Sequence, residues 1–291
     1  MPEASDCLSS VRLLHSVIAP HASFVGRLAV RSLYREVALA PKPGLVSPLD
    51  CGSHEDMNMA TFMRSLFSLR TYFPAITACG AGAPGFESLR DLGIMAEGRM
   101  LAATRGVNTH RGAIFNLGLL CAAAGLLHAR SIAVTADAAC KLIKSQWGAA
   151  ILSSGVEALP VSHGLLVARR YGSGGARREA ADGFPAAREI GLPAYRAALA
   201  DSGSEELAAT QALFALIAVL DDTNLLWRGG SAGLHYARSA AQDFLDSGGV
   251  LARGWRDHAQ AIHAEFVARR LSPGGSADLL GVTLFLHELT R

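Results

Sequence analysis

Charge is scarce in this sequence and neither sign is in excess. Only 18% of the 291 residues are charged, and 27 basic side chains face 25 acidic ones for a formal net charge of +2. So weak a global field gives no reason to expect nucleic acid or a membrane as partner, and any anion must be held by a local arrangement. The five cysteines, Cys7, Cys51, Cys79, Cys121 and Cys140, include no CxxC pair and are odd in number, which fits a reduced, cytoplasmic setting. No apolar stretch follows a basic start in the first residues, where Glu3, Asp6 and Arg12 stand, so no secretory signal is expected. The most apolar run, Ala113 to Leu127, contains Asn116 and falls short of the roughly 20 residues of a membrane span. It reads as a helix buried on all sides. Internal repeats and low-complexity tracts are missing. So are a GxxxxGKS/T loop and a GxGxxG turn, which means that any nucleotide is bound without those devices. No GxSxG elbow or HExxH zinc motif occurs either.

What is present is apolar and helical in period. Half of the chain is hydrophobic, enough for a large buried core. Val25, Leu28, Ala29 and Leu33 form one stripe, interrupted upstream by Pro20 and ended near Pro41, and Met59, Phe62, Met63, Leu66 and Phe73 form another. Further helices are predicted over Glu87–Ala103, Gly112–His128, Thr135–Leu152, Pro185–Leu199, Glu205–Trp227, Ser231–Leu245, Leu251–Arg270 and Ser276–Leu289. Ser202 and Glu205 have capping-box spacing, and Gly229-Gly230 ends a helix as C-terminal glycines do. Alternating β-branched runs are absent. The expectation is an all-α fold, a single compact multi-helix domain over residues 1–291 with a buried central helix. The glycine-rich stretches Cys79–Gly85, Gly172–Gly175 and Pro273–Gly275 are loops within it, and the one candidate subdivision lies near 172–185.

Polar residues that break the apolar pattern are the informative ones. Glu36 lies four residues after Ser32 and seven after Ala29, in line with the inward stripe of its helix, and Glu97 has Gly93, Ile94, Met100 and Leu101 as helical neighbours. Both carboxylates are expected on faces that want burial, where each needs a cation, a metal or a donor, a structural salt bridge included. Asp221-Asp222-Thr223-Asn224 interrupts the apolar run Ala212 to Leu220, and four polar residues go round a whole helical turn, so one must face inward. Two adjacent acids are oxygen ligands of the kind Mg2+ takes. The same residues also suit a polar exit turn in which Arg228 pairs an Asp.

Three segments look like anion cradles: Gly172 to Arg177 ahead of a turn with Glu179, Ser272 to Asp278 ahead of the last helix, and Thr104 to Gly112 (TRGVNTHRG) opening the most apolar helix. Free N–H groups at helix starts bind phosphate, and glycine lets it come close. Lys42, between Pro41 and Pro43, sits in a stiff segment that either aims its ammonium or leaves it in solvent. His54 and Asp56 begin another helix, where Ser53 and Asp56 also have capping-box spacing. His110 lies between Thr109 and Arg111, where protonation suits a phosphate; His163 has no evident partner.

Taken together these motifs resemble a known family. Pro41 to Val46 (PKPGLV), the Gly-x-His-x-Asp-Met of residues 52–57, Gly106 to Phe115 (GVNTHRGAIF), Gly174-Gly175-Ala176-Arg177 with Glu179 and Gly183-Phe184, and Ser272 to Leu280 (SPGGSADLL) are similar, in this order, to the triphosphoribosyl-dephospho-CoA synthases. The likeness extends from about Ser32 to Leu280. The family ordinarily has Lys where this chain has Arg111; the charge survives, though the two cations differ in geometry. The stretch from His163 to Arg177 resembles the malonate decarboxylase branch more than the citrate lyase branch.

The resemblance implies a transferase whose substrates are ATP and 3′-dephospho-CoA and whose products are 2′-(5″-triphosphoribosyl)-3′-dephospho-CoA and adenine. A separate transferase then places the product on an acyl-carrier protein; a homo-oligomer is left open. On that reading Glu36 or Glu97 is the base or stabilises an oxocarbenium-like sugar, and Asp56 or His54 assists the departing adenine. Lys42, Arg111, Arg177 and Arg228 hold the triphosphate with Gly174, Gly175, Gly274 and Gly275. Asn108, Thr109, His110, Glu179, Ser272 and Ser276 complete the substrate-binding candidates, and Asp221 and Asp222 those for Mg2+. Two rival readings use the same residues: a helical Mg2+-dependent nucleotide hydrolase, and a non-catalytic helical module that binds a carrier protein.

Overall fold

The structure, a computed structural model, describes residues 3–154, 166–167 and 170–290, with side chains from Ile18 onward; His163 lies outside the described residues. It is all-α, and no strand occurs among the described residues. The helices are α1 (Glu3–Ala38), α2 (Met59–Leu69), α3 (Tyr72–Ala81), α4 (Phe86–Thr104), α5 (Arg111–Ala129), α6 (Ala136–Gln146), α7 (Gly148–Ser153) and α8 (Gly175–Ala181). A π-helical turn (Ala186–Gly191) then runs into α9 (Leu192–Ser202), followed by α10 (Glu205–Val219), α11 (Thr223–Asp246), α12 (Trp255–Ala268) and α13 (Gly274–Glu288).

The apolar run foreseen as a buried helix is α5. It is buried almost continuously from Ala113 to Leu127 and is packed by α1, α3, α4, α6 and α13. By length and composition α5 is also the one single described helix that passes for a membrane span, yet 78% of that window is buried inside the protein. Its closest neighbour is α3, and the approach depends on glycine. A Cβ at Gly80 would lie 2.1 Å from the Ala122 carbonyl oxygen, and one at Gly125 would lie 2.0 Å from that of Thr77. Two further helices, α10 and α13, are buried along most of their length and pack on each other.

Several predicted boundaries move, each for a local reason. α1 runs through Pro20, because one missing donor does not outweigh the buried stripe Ala22, Val25, Leu28, Ala29, Leu33 and Val37. The second stripe is two helices: Phe73 belongs to α3, whose first turn takes Pro74, a position where the missing N–H has no intrahelical acceptor. That helix reaches Ala81, so the predicted loop begins only after it. Thr135–Leu152 divides at Trp147, a fully buried ring whose Nε1 donates to the Pro84 carbonyl at 2.9 Å. Gly203 ends α9 with φ 66°, so Ser204, not Ser202, caps α10. Gly230 (φ 61°, ψ −162°) is non-helical and breaks α11 into two helical stretches, as expected of Gly229-Gly230. Asn58 and Thr61, not Ser53 and Asp56, make the capping box at α2.

The largest shift falls at 220–222. The predicted helix Glu205–Trp227 stops at Val219, Leu220 and Asp222 are extended, and α11 leaves at a 58° bend. Asp, Thr and Asn bond nearby backbone and so favour helix starts over interiors. The polar quartet is a break and a new beginning, not a polar turn of one helix.

Gly80→Ala and Gly125→Ala should each destabilise the protein by about 1–3 kcal/mol through overpacking, read as a lower urea midpoint at unchanged slope. Gly98→Ala, where nothing lies within 4 Å, should be neutral or stabilising by up to ~1 kcal/mol. Equal losses at all three sites would contradict the close-approach account.

Candidate active site

The starts of α5, α8, α11 and α13 open on a single cavity of about 2000 Å³. The face of α4 that carries Arg90, Gly93, Ile94 and Glu97 forms one wall, and Glu36, at the end of α1, lies deep in another. Every candidate catalytic, substrate-binding or metal residue read from the sequence lies on the wall of this cavity except Ser276.

Glu36 is buried, and so is Lys42. The Lys42 ammonium donates to the Glu36 carboxylate at 2.7 Å and to its carbonyl at 2.8 Å, so the helix end is closed by its own downstream cation. An ammonium has three protons, so one remains for the cavity. The lysine is therefore not left in solvent. From behind, the ring of His263 sits with Nδ1 2.7 Å from the Lys42 carbonyl.

Glu97 departs from its expected burial. Its side chain is 27% exposed and Ile94 beside it is 55% exposed, because this face of α4 borders the cavity and not the core. Its partner is Arg111, through the guanidinium Nε at 2.6 Å. Asn108 accepts the Arg111 amide, which fixes the start of α5.

His110 is buried, with Nδ1 2.6 Å from the Ser65 hydroxyl. Burial first, and then the charge of Lys42, pushes its pKa down to about 3. The ring is neutral, which corrects the expectation of a protonated phosphate ligand. Its Nε2 has no partner, and neither has Asn116 Oδ1 or Arg177 Nη1. All three residues line the cavity. Buried polar atoms are rarely left unpaired, and three around one cavity mark a surface shaped for a polar ligand.

At the opposite rim, Arg228 donates to His54 Nδ1 at 3.2 Å and to the Ser53 carbonyl at 3.0 Å. An arginine only donates, so Nδ1 accepts and the proton sits on Nε2, 2.8 Å from the Ser272 hydroxyl. The serine is left free to donate into the cavity. Burial and then Arg228 lower the His54 pKa, and Asp56, largely exposed, opposes them.

Asp222 is buried at 1% exposure and accepts from four donors. Oδ1 takes the amides of Asn224 (2.9 Å) and Leu225 (3.4 Å), and Oδ2 takes the amide (2.8 Å) and hydroxyl (3.0 Å) of Ser276. It caps α11 and the start of α13 together. Gly275 admits it, since a Cβ there would be 3.1 Å from the carboxylate. The anion in the cradle of α13 is thus the protein's own carboxylate, which accounts for Ser276 being turned away from the cavity. Burial pushes the Asp222 pKa up, and these donors oppose it. Asp221 is 62% exposed and paired with Arg238 at 2.8 Å. With the Asp222 oxygens filled and Asp221 turned to an arginine, the two acids do not fit the Mg2+ pair expected of them. Among the described residues no group of three or more His, Cys, Asp or Glu is arranged to hold a metal.

Glu179 is likewise engaged by the chain, accepting the Ala186 amide at 2.7 Å where the π-helical turn begins. Burial raises its pKa against those amides. Arg177, by contrast, faces Arg90, and burial followed by that like charge lowers its pKa.

Arg90, Asn116 and Asp278 also line the wall, though none of them was a candidate site residue in the sequence. A signal existed for each. Arg90 lies seven residues before Glu97 on one helical face, Asn116 interrupts the most apolar run, and Asp278 is the lone acid near the start of an otherwise apolar last helix.

A helical scaffold that gathers helix starts, arginines and buried carboxylates around one large cavity defines the class: an enzyme that handles phosphorylated substrates. The chain belongs to the CitG family, ATP:dephospho-CoA triphosphoribosyl transferase, which it matches over residues 22–291. It is 44% identical to a probable 2-(5″-triphosphoribosyl)-3′-dephosphocoenzyme-A synthase of Acinetobacter calcoaceticus, over 94% of this chain and 93% of that one. Synthases of that name from Klebsiella pneumoniae (40% identical; 97% and 96% covered) and Escherichia fergusonii (37%; 99% and 98%) are similar throughout. No solved structure matches the chain.

Removing the double cap by Asp222→Ala should cost about 1–4 kcal/mol, two helix caps at roughly 0.5–2 kcal/mol each, measured by urea unfolding. A loss below about 0.5 kcal/mol would show that the starts of α11 and α13 do not depend on this carboxylate.

Proposed function

We propose that this protein transfers the 5-triphosphoribosyl group of ATP to the 2′-hydroxyl of 3′-dephospho-CoA and releases adenine. One observation carries the reading: the cations, the helix starts and the buried carboxylate of Glu36 share a cavity of about 2000 Å³. That is about twice the upper end of an ordinary ligand pocket, as two nucleotide substrates bound together require. The similar proteins named above are synthases of this product.

The reaction breaks the bond between C1′ of the ATP ribose and adenine N9 and forms one from C1′ to the acceptor oxygen. ATP is β at that carbon and the family's product is α, so one inverting displacement with oxocarbenium character is the economical path. Such a displacement needs a base on the acceptor side. Glu36 takes this role, its carboxylate aimed by Lys42 at 2.7 Å. Glu97 is the lesser contributor and serves to place Arg111.

Arg111 is paired with Glu97, Lys42 with Glu36, and Arg228 bonds to backbone carbonyls and His54. Arg177, with a guanidinium nitrogen unpartnered, stands near Arg90 and draws the triphosphate to that side. The Ser272 hydroxyl, oriented through His54, suits the diphosphate of the acceptor. Asp221 and Asp222, engaged by Arg238 and by two helix starts, are not a Mg2+ cage in this reading; a Mg2+ ion would supply charge neutralisation on the triphosphate.

The product is the precursor of a lyase or decarboxylase prosthetic group, and the resemblance of residues 163–177 favours malonate decarboxylase over citrate lyase. A second transferase then loads it on the acyl-carrier protein in the cytoplasm.

Adenine should appear from ATP only when dephospho-CoA is present; phosphate or diphosphate released without the acceptor would instead reveal a hydrolase. Glu36→Gln should lower adenine release by about 10²–10⁴-fold and Glu97→Gln by far less. Arg177→Ala should raise the KM for ATP about tenfold or more with a smaller change in kcat. Wild-type turnover in Glu36→Gln removes that residue from the chemistry.

A further inference from the structure

Asp278 is the acid that the foregoing mechanism leaves unused. It lies in the first turns of α13, at the cavity wall. Its carboxylate is pressed against the start of α5: a Cβ at Gly112 would come within 1.9 Å of Oδ2, and the Ala113 amide donates to the same group. Gly112 is thus required for the acid to reach the cavity where it does.

The charges around it are of its own sign. Glu36 of α1 and Asp222 ahead of α11 both raise its pKa after burial, well above the ordinary carboxylate range. Lys42 is bonded to Glu36 at 2.7 Å, and among the described residues Asp278 itself makes no ion pair. His110, at the start of α5, is neutral. Two carboxyl groups that share a wall but differ in partner are the usual way an active site separates its base from its acid. Glu36 has an ammonium; Asp278 has a single amide and two anionic neighbours.

We infer that Asp278 is the general acid of the transfer, giving its proton to a ring nitrogen of adenine as the C1′–N9 bond breaks. The electron pair of that bond leaves with the purine, the bond from C1′ to the acceptor oxygen forms, and the hydroxyl proton passes to Glu36. One proton thus moves from acceptor to adenine overall, and the two carboxyl groups re-equilibrate through solvent once the products leave. This inference rests on the proposed reaction, and places on Asp278 the assistance to adenine that the sequence assigned to Asp56 or His54. Asp56 is 62% exposed at the rim, with Nδ1 of the neutral His54 ring 3.6 Å from its carboxylate.

The test is the dependence on the leaving group. Asp278→Asn, which keeps an acceptor for the Ala113 amide, should lower turnover of ATP by about 10²–10⁴-fold. With the 8-aza analogue of ATP, whose base leaves more readily without protonation, the same variant should lose about tenfold or less. Asp278→Ser carries the same comparison should the asparagine variant fail to fold, as judged by its melting temperature. Equal losses on the two nucleotides, or undiminished turnover of ATP, would overturn the assignment. Failure of the proposed reaction itself is distinguishable, since the wild-type protein would then release no adenine in the presence of dephospho-CoA.

Discussion

One buried carboxylate, Asp222, holds the starts of two helices side by side, and the cavity takes its form from that tie. Through its four hydrogen bonds α11 begins where α10 has just ended and α13 begins against both. The chain turns through 58° there. Without the break the polar quartet would have to continue a helix through the apolar interior, with at least one acid facing it unpaired. With it, the same residues satisfy orphan amides at both helix starts. The bend also carries Arg228 to the rim, where it reaches His54 and the carbonyls of Ser53 and Arg270. One local preference of Asp for a helix start is thereby converted into the placement of elements far apart in sequence.

The chemistry depends on a second feature, the uneven pairing of charge around the cavity. Glu36 and Lys42 satisfy each other, Arg111 satisfies Glu97, and Asp222 is filled by backbone and Ser276. Against this background the unsatisfied atoms stand out, His110 Nε2, Asn116 Oδ1 and Arg177 Nη1, and beside them Asp278, which has one amide donor and two carboxyl neighbours. In a low-dielectric setting unpaired polar groups are costly, and an arriving substrate that pairs them gains what the empty site lacks. Preorganised in this way, the site does not have to reorient its dipoles as charge develops on the sugar.

Much of this was legible in the sequence, and the limits are physical. The helical class and the buried central helix follow from an apolar period that leaves no alternative, and Glu36 was marked by its place on an inward stripe. The PKPGLV, GVNTHRG and SPGGSADLL segments pointed to residues that the fold gathers in one cavity. What composition could not convey was pairing. Whether Lys42 meets water or Glu36, and whether Asp222 meets a metal or two helix starts, is decided by tertiary neighbours more than fifty residues away in the second case. Asp222 reads as a metal ligand for the reason it works as a cap, since both roles need an oxygen acceptor. Glu97 was misplaced because Ile94 and Gly93 suggest a core face, whereas here an apolar wall faces a cavity. Asp278, named only as the end of a cradle, was not a candidate acid because one acid near the start of a last helix also reads as ordinary first-turn charge.

The central claim is that one cavity positions both nucleotides, with the triphosphate at Arg90 and Arg177 and the reacting sugar between Glu36 and Asp278. A crystal structure with a non-hydrolysable ATP analogue and dephospho-CoA tests it most directly. The account predicts the γ-phosphate within hydrogen-bond reach of Arg177, adenine next to Asp278, and the acceptor 2′-hydroxyl facing Glu36. A triphosphate bound away from both arginines, or substrates seated in separate sites, would contradict it.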